Sequence, residues 1–171
     1  TFSQNFDQNI KKHIEKFKPV VFLLASDEIN LSILNGAFVV YLGHHGDSSA
    51  QFADIILPTP AYTEKTSTYI NMEGRVLQTT RCYHPLGKSK EEWKIFRALS
   101  NNFTKKLQFN NLSELRNEII NLFPFFREIN NLTSISKLNF GSSKKINSRV
   151  FEYNIKNFYM TDVISRASIT M

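Results

Sequence analysis

Ile10, His13, Ile14 and Phe17 recur at three- and four-residue intervals, with Lys11, Lys12, Glu15 and Lys16 on the intervening positions. That spacing predicts an amphipathic helix, which Pro19 ends. Val20–Ala25 then runs almost without a polar break, the pattern of a strand covered on both faces. Ser26, Asp27 and Glu28 cluster at its carboxyl end. Leu31–Leu34 is apolar but short, ambiguous between a helical turn and a strand, and Asn35–Gly36 punctuates it. Phe38–Leu42 reads as a second buried strand, followed by the tight turn Gly43-His44-His45-Gly46-Asp47. Ser48–Phe52 has room for one or two helical turns. Asp54–Leu57 is a third strand, stopped by Pro58 and Pro60. Apolar strands joined by short helical links predict an α/β chain with a parallel sheet and covered faces.

Beyond Pro60 the period changes. Thr66–Asn71 and Gly74–Gln78 flank Met72-Glu73, the outline of a hairpin lying across the end of the sheet. Ser89 stands three residues before Glu92, a capping-box spacing, and Trp93, Phe96, Ala98 and Leu99 supply the apolar positions of the helix it would open. Asn101–Asn102 closes that helix. A further helix starts near Asn111, with Glu114 three residues on. Leu112, Leu115, Ile119 and Leu122 form its inner face, and Pro124 marks its end. From Phe125 to Val150 the periodicity fades, and Asn139–Ser148 reads as a flexible connector. Phe151–Met171 carries Phe158, Tyr159, Met160, Val163 and Ile164 without strand alternation, and Thr161 is positioned to cap a last short helix through Ser168. The expected organisation is therefore a partial α/β domain over residues 1–124, a connector over 125–150 and a docked tail over 151–171.

Composition narrows the function. Apolar residues make up 42% and charged residues 21% of the 171 positions, which suits an ordinary folded domain. The longest apolar run is strand-sized, far below the ~20 residues of a membrane span, and Thr1 opens no basic, apolar secretory leader. The formal charge of +6 comes from scattered lysines, which read as solvated faces, with neither the clustered basic patch nor the interleaved aromatics of a nucleic-acid site. Cys82 is the single cysteine. One thiolate cannot hold an iron–sulfur cluster and makes no intrachain disulfide. The lean toward Phe, Ile, Asn, Lys and Tyr follows AT-rich codons, as in organellar genomes.

Candidate chemistry is sparse. His44 and His45 invite a metal reading, but zinc needs three or four ligands and no second cluster stands at ligand spacing. Their expected role is to cap backbone groups in the turn. The turn sits where open α/β sheets take ligands, and Gly43 and Gly46 allow close backbone approach, yet neither dinucleotide nor P-loop fingerprint is present. Glu64 and Glu73 could form an acid–base pair. The alternative is that Glu73 and Arg75 brace the hairpin. Asp54 suits a cap at a strand start, and Trp93 suits the core. No catalytic set emerges.

Asp54-Ile55-Ile56-Leu57-Pro58, Glu64, Thr68, Asn71, Glu73-Gly74-Arg75 and Gln78 resemble the A-D-h-h-L-P…E-x-x-G-T-x-x-N-x-E-G-R-x-x-Q signature of molybdopterin oxidoreductases. Tyr41–Asp47, Ala61–Lys65, Glu92–Ile95, Arg97–Ser100 and the ending Phe158–Asp162 with Ile164–Ser168 and Thr170-Met171 resemble one branch, the large iron–sulfur subunit of respiratory complex I of mitochondria and α-proteobacteria. The resemblance implies a Rossmann-like, mostly parallel sheet with flanking helices, part of a molybdopterin-oxidoreductase-like domain, and an extended C-terminal tail. It implies a matrix-side place in the inner-membrane complex, with no membrane insertion or nucleic acid of its own. Iron–sulfur clusters are expected in a partner that carries the cysteine-rich part of the subunit, and no cofactor in this chain. Ser67 replaces the signature glycine, so the backbone approach that glycine allows is not expected here. Tyr159, Met160, Ile164 and Arg166 are the expected partner-docking positions. Two rivals remain at this stage, a piece of a working formate-dehydrogenase-type enzyme and a basic RNA- or lipid-binding module.

Overall fold

The computed structural model describes residues 2–26, 28–132 and 157–170, and the side chains from residue 8 onward within the first of these. Helix α1 spans Phe2–Phe17. Lys18, at φ +43°, ends it in the left-handed conformation that glycine more often takes, and the Lys18 N–H donates to the Ile14 carbonyl at 2.9 Å. Strand β1 (Val20–Leu24) follows, then a 3₁₀ turn over Leu31–Leu34, β2 (Phe38–Gly43), the short helix α2 (Ser48–Phe52) and β3 (Ile55–Pro58). The three strands form one parallel sheet in the order β1-β2-β3, with Val20 opposite Phe38 and Val40 opposite Ile55.

β2 is central, so both of its edges are paired. Val39, Val40, Tyr41 and Leu42 are each 5% exposed or less. Burying each of these side chains stabilises the fold by roughly 1.5–3 kcal/mol. On one face Ile14 of α1, Ile33 and Leu34 of the 3₁₀ turn, and Ala50 of α2 pack with Leu23, Val39 and Tyr41 into the core. The α1 periodicity holds only in part. Ile10 and Ile14 face inward, whereas His13 and Phe17 lie exposed, because only the first two register with the sheet.

β1 departs from the expectation of two covered faces. Val20 and Leu24 are 56% and 54% exposed. The pattern alternates because Val21 and Leu23 face the α1 layer while Val20, Phe22 and Leu24 face the other side. There only Phe22 meets a neighbour ring, Phe96, edge-on at 5.5 Å.

Strands β4 (Thr68–Ile70) and β5 (Val76–Gln78) form the antiparallel hairpin that the pattern predicted. Gly74, at φ +81°, makes the turn that a side chain would strain. Helix α3 covers Glu92–Leu99, but Glu91 and not Ser89 occupies its cap position, without a side-chain cap bond. The Ser89 hydroxyl instead donates to the Leu86 carbonyl, closing the preceding turn. Helix α4 (Leu112–Leu122) is capped as expected by Asn111, whose Oδ1 accepts from the Glu114 N–H at 2.9 Å. Leu122 is 71% exposed and leaves the inner face to Leu112, Leu115, Arg116, Ile119 and Ile120, since Pro124 turns the chain away into a 3₁₀ turn over Pro124–Arg127. In the tail, α5 (Val163–Ala167) is capped by Asp162, one residue later than predicted. A carboxylate is the stronger acceptor, and both Ile164 N–H and Ser165 N–H donate to it. The expected connector falls mostly outside the described residues.

Candidate functional site

The carboxyl end of β2 is built around a tyrosine lying along its own strand. Tyr41 and Gly43 share one face because they are two residues apart. A Cβ on Gly43 would fall inside the Tyr41 phenol, so glycine here is a steric requirement. The Tyr41 hydroxyl donates to Asp47 Oδ2 at 2.5 Å, while Asp47 Oδ1 accepts from the Ala50 N–H at 2.9 Å as the cap of α2. The Ser49 hydroxyl, fully buried, donates to the Ser26 carbonyl and pins α2 to the end of β1.

Among the described residues His44 and His45 cap no backbone group. Their rings meet edge-on with Nδ1 atoms 2.6 Å apart, which a turn permits and a strand would not. Burial, the His45 imidazole and the Lys65 ammonium together lower the His44 pKa below its ordinary value. His44 is thereby favoured as the neutral ring. Among the described residues no group of three or more His, Cys, Asp and Glu side chains could hold a metal ion.

Asp54 is a cap, though not a local one. Its Oδ2 accepts from the Val39 N–H at 2.7 Å across the sheet, and its own N–H donates to the Val39 carbonyl. Glu64 accepts from the Ala61 N–H. Glu73 sits at the hairpin tip with Arg75 at 3.7 Å. The two carboxylates thus serve separate local purposes. Cys82 is exposed.

The hairpin's polar groups satisfy one another. Asn71 Oδ1 accepts from both the Glu73 and Arg75 N–H groups at 3.0 Å. Arg75 Nη1 donates to the Asn130 carbonyl at 2.6 Å, and the Asn130 N–H donates back to the Val76 carbonyl. Ser67, at the signature glycine position, exchanges bonds with Thr79: its N–H donates to Thr79 Oγ1 and its carbonyl accepts the Thr79 N–H. These hairpin donors are therefore directed within the hairpin itself.

Two arginines have a structural role that the sequence reading did not assign. Arg97 donates to the Phe109 carbonyl, Asn101 Oδ1 and Asn110 Oδ1, tying α3 to the start of α4. Arg116 has Nε and Nη2 buried without a partner among the described residues, beside Thr68, Gln78 and Phe126. Isolated arginines in a basic chain carry no signal that separates them from solvated ones. Near α3, burial pushes Glu91 upward, but hydrogen bonds from Lys94 and Trp93 outweigh it and hold its carboxyl below the usual range.

The four tail positions are divided. Arg166 Nη1 reaches Glu28 Oε1 and the Met160 carbonyl, both at 2.9 Å, within the same chain. Tyr159 is 77% exposed and Ile164 36%.

Residues 2–102 match the family model described as molybdopterin oxidoreductase, and residues 126–171 match that of the C-terminal region of the NADH-ubiquinone oxidoreductase G subunit. Among curated proteins, the mitochondrial 78 kDa subunit of NADH-ubiquinone oxidoreductase of Candida albicans is 43% identical over 88% of this chain and 22% of its own length. The 75 kDa subunit of NADH-ubiquinone oxidoreductase of Reclinomonas americana is 37% identical over 96% of this chain and 23% of its length. The NADH-quinone oxidoreductase G subunit of Rickettsia bellii is 37% identical over 99% and 25%. The chain spans about a quarter of the length of these relatives. With the first family model covering more than half of it, the chain belongs to the molybdopterin oxidoreductase family, in the branch that ends in the C-terminal segment of the NADH-ubiquinone oxidoreductase G subunit.

Proposed function

We propose that this chain is the C-terminal, cofactor-free part of the large iron–sulfur subunit of respiratory complex I, a structural and assembly element of the arm that passes electrons from NADH toward ubiquinone. It works on the matrix side of the mitochondrial inner membrane. It works together with the cysteine-rich remainder of the same subunit, which holds the iron–sulfur clusters. The observation that carries this reading is the agreement of both family models along one chain with relatives named as NADH-ubiquinone oxidoreductase subunits. The single cysteine and the self-satisfied hairpin support the absence of a cofactor. Among the described residues no helix is long and apolar enough to cross a membrane.

The test is purification of the tagged chain from its source under mild detergent. NADH-oxidising activity and iron–sulfur clusters should accompany it. Molybdenum or pterin in stoichiometric amount would establish the formate-dehydrogenase-type rival instead, and recovery of the chain without any complex I component would refute the assignment.

A further inference from the structure

The segment 157–170 returns to the sheet through α5. Arg166 donates from Nη1 to Glu28 Oε1, 138 positions away along the chain, and to the Met160 carbonyl, both at 2.9 Å. The first bond crosses to the loop after β1, and the second folds the start of the segment onto its own helix. Between the two elements lies a polar crevice of about 400 Å³. Leu24, Ala25 and Ser26 line it on the sheet side, and Thr161, Val163 and Arg166 on the other. It stands at the carboxyl end of β1, the end of a parallel strand at which open α/β sheets take ligands.

The two walls of this crevice are held differently. On the sheet side Ala25 takes φ +48°, a left-handed conformation that costs an L-residue energy and persists where neighbours impose it. Its N–H donates to the Leu42 carbonyl at 2.7 Å, and the Ser26 carbonyl accepts from the buried Ser49 hydroxyl at 2.6 Å. Both ties run to β2 and α2, and so to the core. The opposite wall is held lightly. α5 has five residues and no fully buried side chain, and a helix that short does not stand alone in water. The Glu28–Arg166 pair is open to water, with 72% of the Glu28 side chain and 27% of the Arg166 side chain exposed. Such a pair contributes little to stability and is screened by salt. Elements that open ahead of the rest of a fold have this character, with few buried apolar contacts and solvent-exposed hydrogen bonds.

We propose that residues 157–168 form a strap that closes the carboxyl end of β1, with Arg166 as its anchor, and that the strap opens as a unit while the sheet stays folded. Opening uncovers Leu24, Ala25 and Ser26 together. Closing returns one guanidinium to Glu28 and re-forms α5 over the crevice. The inference goes beyond the proposed function and does not rest on it.

Amide exchange of the protein in its purified native assembly tests the proposal. Amides of residues 164–168 should exchange faster than those of residues 39–42 in β2. Raising the salt from about 50 to about 500 mM should speed the first set and leave the second unchanged. Arg166→Gln should speed exchange at 164–168 roughly three- to tenfold, and Glu28→Ala, on the far wall of the crevice, roughly two- to threefold. Protection of β2 should stay intact in both. A single nitrogen of Arg166 makes both printed bonds, so the ammonium of Arg166→Lys can replace it, and that variant should stay within about twofold of the wild type. If neither Arg166→Gln nor Glu28→Ala changes exchange at 164–168, nothing is anchored there and the inference fails. It fails equally if the β2 amides accelerate in step with 164–168, because the strap is then no separate unit. Exchange as fast in Arg166→Lys as in Arg166→Gln would remove the charge as the anchor and overturn the proposal.

Discussion

The two halves of this chain are held together by different physics. Up to Pro60, seven apolar side chains converge on a parallel sheet and form the core. Beyond Pro60, Val76 is the only buried apolar side chain among the described residues, and polar nodes hold the structure: Asn71 in the hairpin turn, Arg75 on the Asn130 carbonyl, Arg97 between two helices. The first half draws on apolar burial, which needs only shape. The second depends on single acceptors and donors placed to within hydrogen-bond reach. One half tolerates conservative apolar exchange, and the other does not tolerate loss of a node.

The largest effect should come from Tyr41→Ala, which opens a cavity in the core and leaves the buried Asp47 without its hydroxyl donor. A loss of about 3–5 kcal/mol in urea unfolding, followed at Trp93, is expected. A loss as small as that of a surface substitution would break the contrast. Next is Asn71→Ala, which strips an acceptor from two backbone N–H groups. A loss of roughly 1–3 kcal/mol is expected, with faster amide exchange confined to residues 68–78. Arg116→Met should act in the opposite sense, raising stability of the isolated chain by about 1 kcal/mol, because it removes buried donors that lack a partner. A drop on this substitution would show that the guanidinium is satisfied in solution.

The smallest effect is on pH. His44 has a folded pKa below the ordinary value of 6.5, so the unfolded chain binds the proton first as pH falls through that value. Stability is therefore lost progressively from about pH 6.5 down to the folded pKa and is flat above. His44→Gln should flatten that part of the curve, read from unfolding midpoints between about pH 5 and 8. An unchanged slope would remove His44 as the cause.

The sheet was legible because continuous apolar runs with glycine and proline punctuation leave few alternatives. Val20–Leu24, Phe38–Gly43 and Ile55–Pro58 fall within one residue at each end of where the pattern put them. What the pattern could not carry was coverage. A strand with Val20, Phe22 and Leu24 apolar on one face looks buried whether or not anything lies against it here, and this chain leaves that face largely open. Two of the expected helix caps failed for a related reason. Ser89 and Thr161 satisfy spacing rules, yet the Leu86 carbonyl and the Asp162 carboxylate took precedence as local partners. At the candidate site, the histidine pair drew notice by rarity, while Tyr41 and Asp47, which organise the turn, read only as one residue of a buried strand and one residue of a tight turn.

Because the phenol of Tyr41 occupies the space above position 43 and is moored to Asp47, substitutions at the two sites are ordered in time. A residue with a side chain can become acceptable at 43 only after the ring at 41 has been shortened. A lineage that has kept the tyrosine is barred from every replacement of its neighbour two places on.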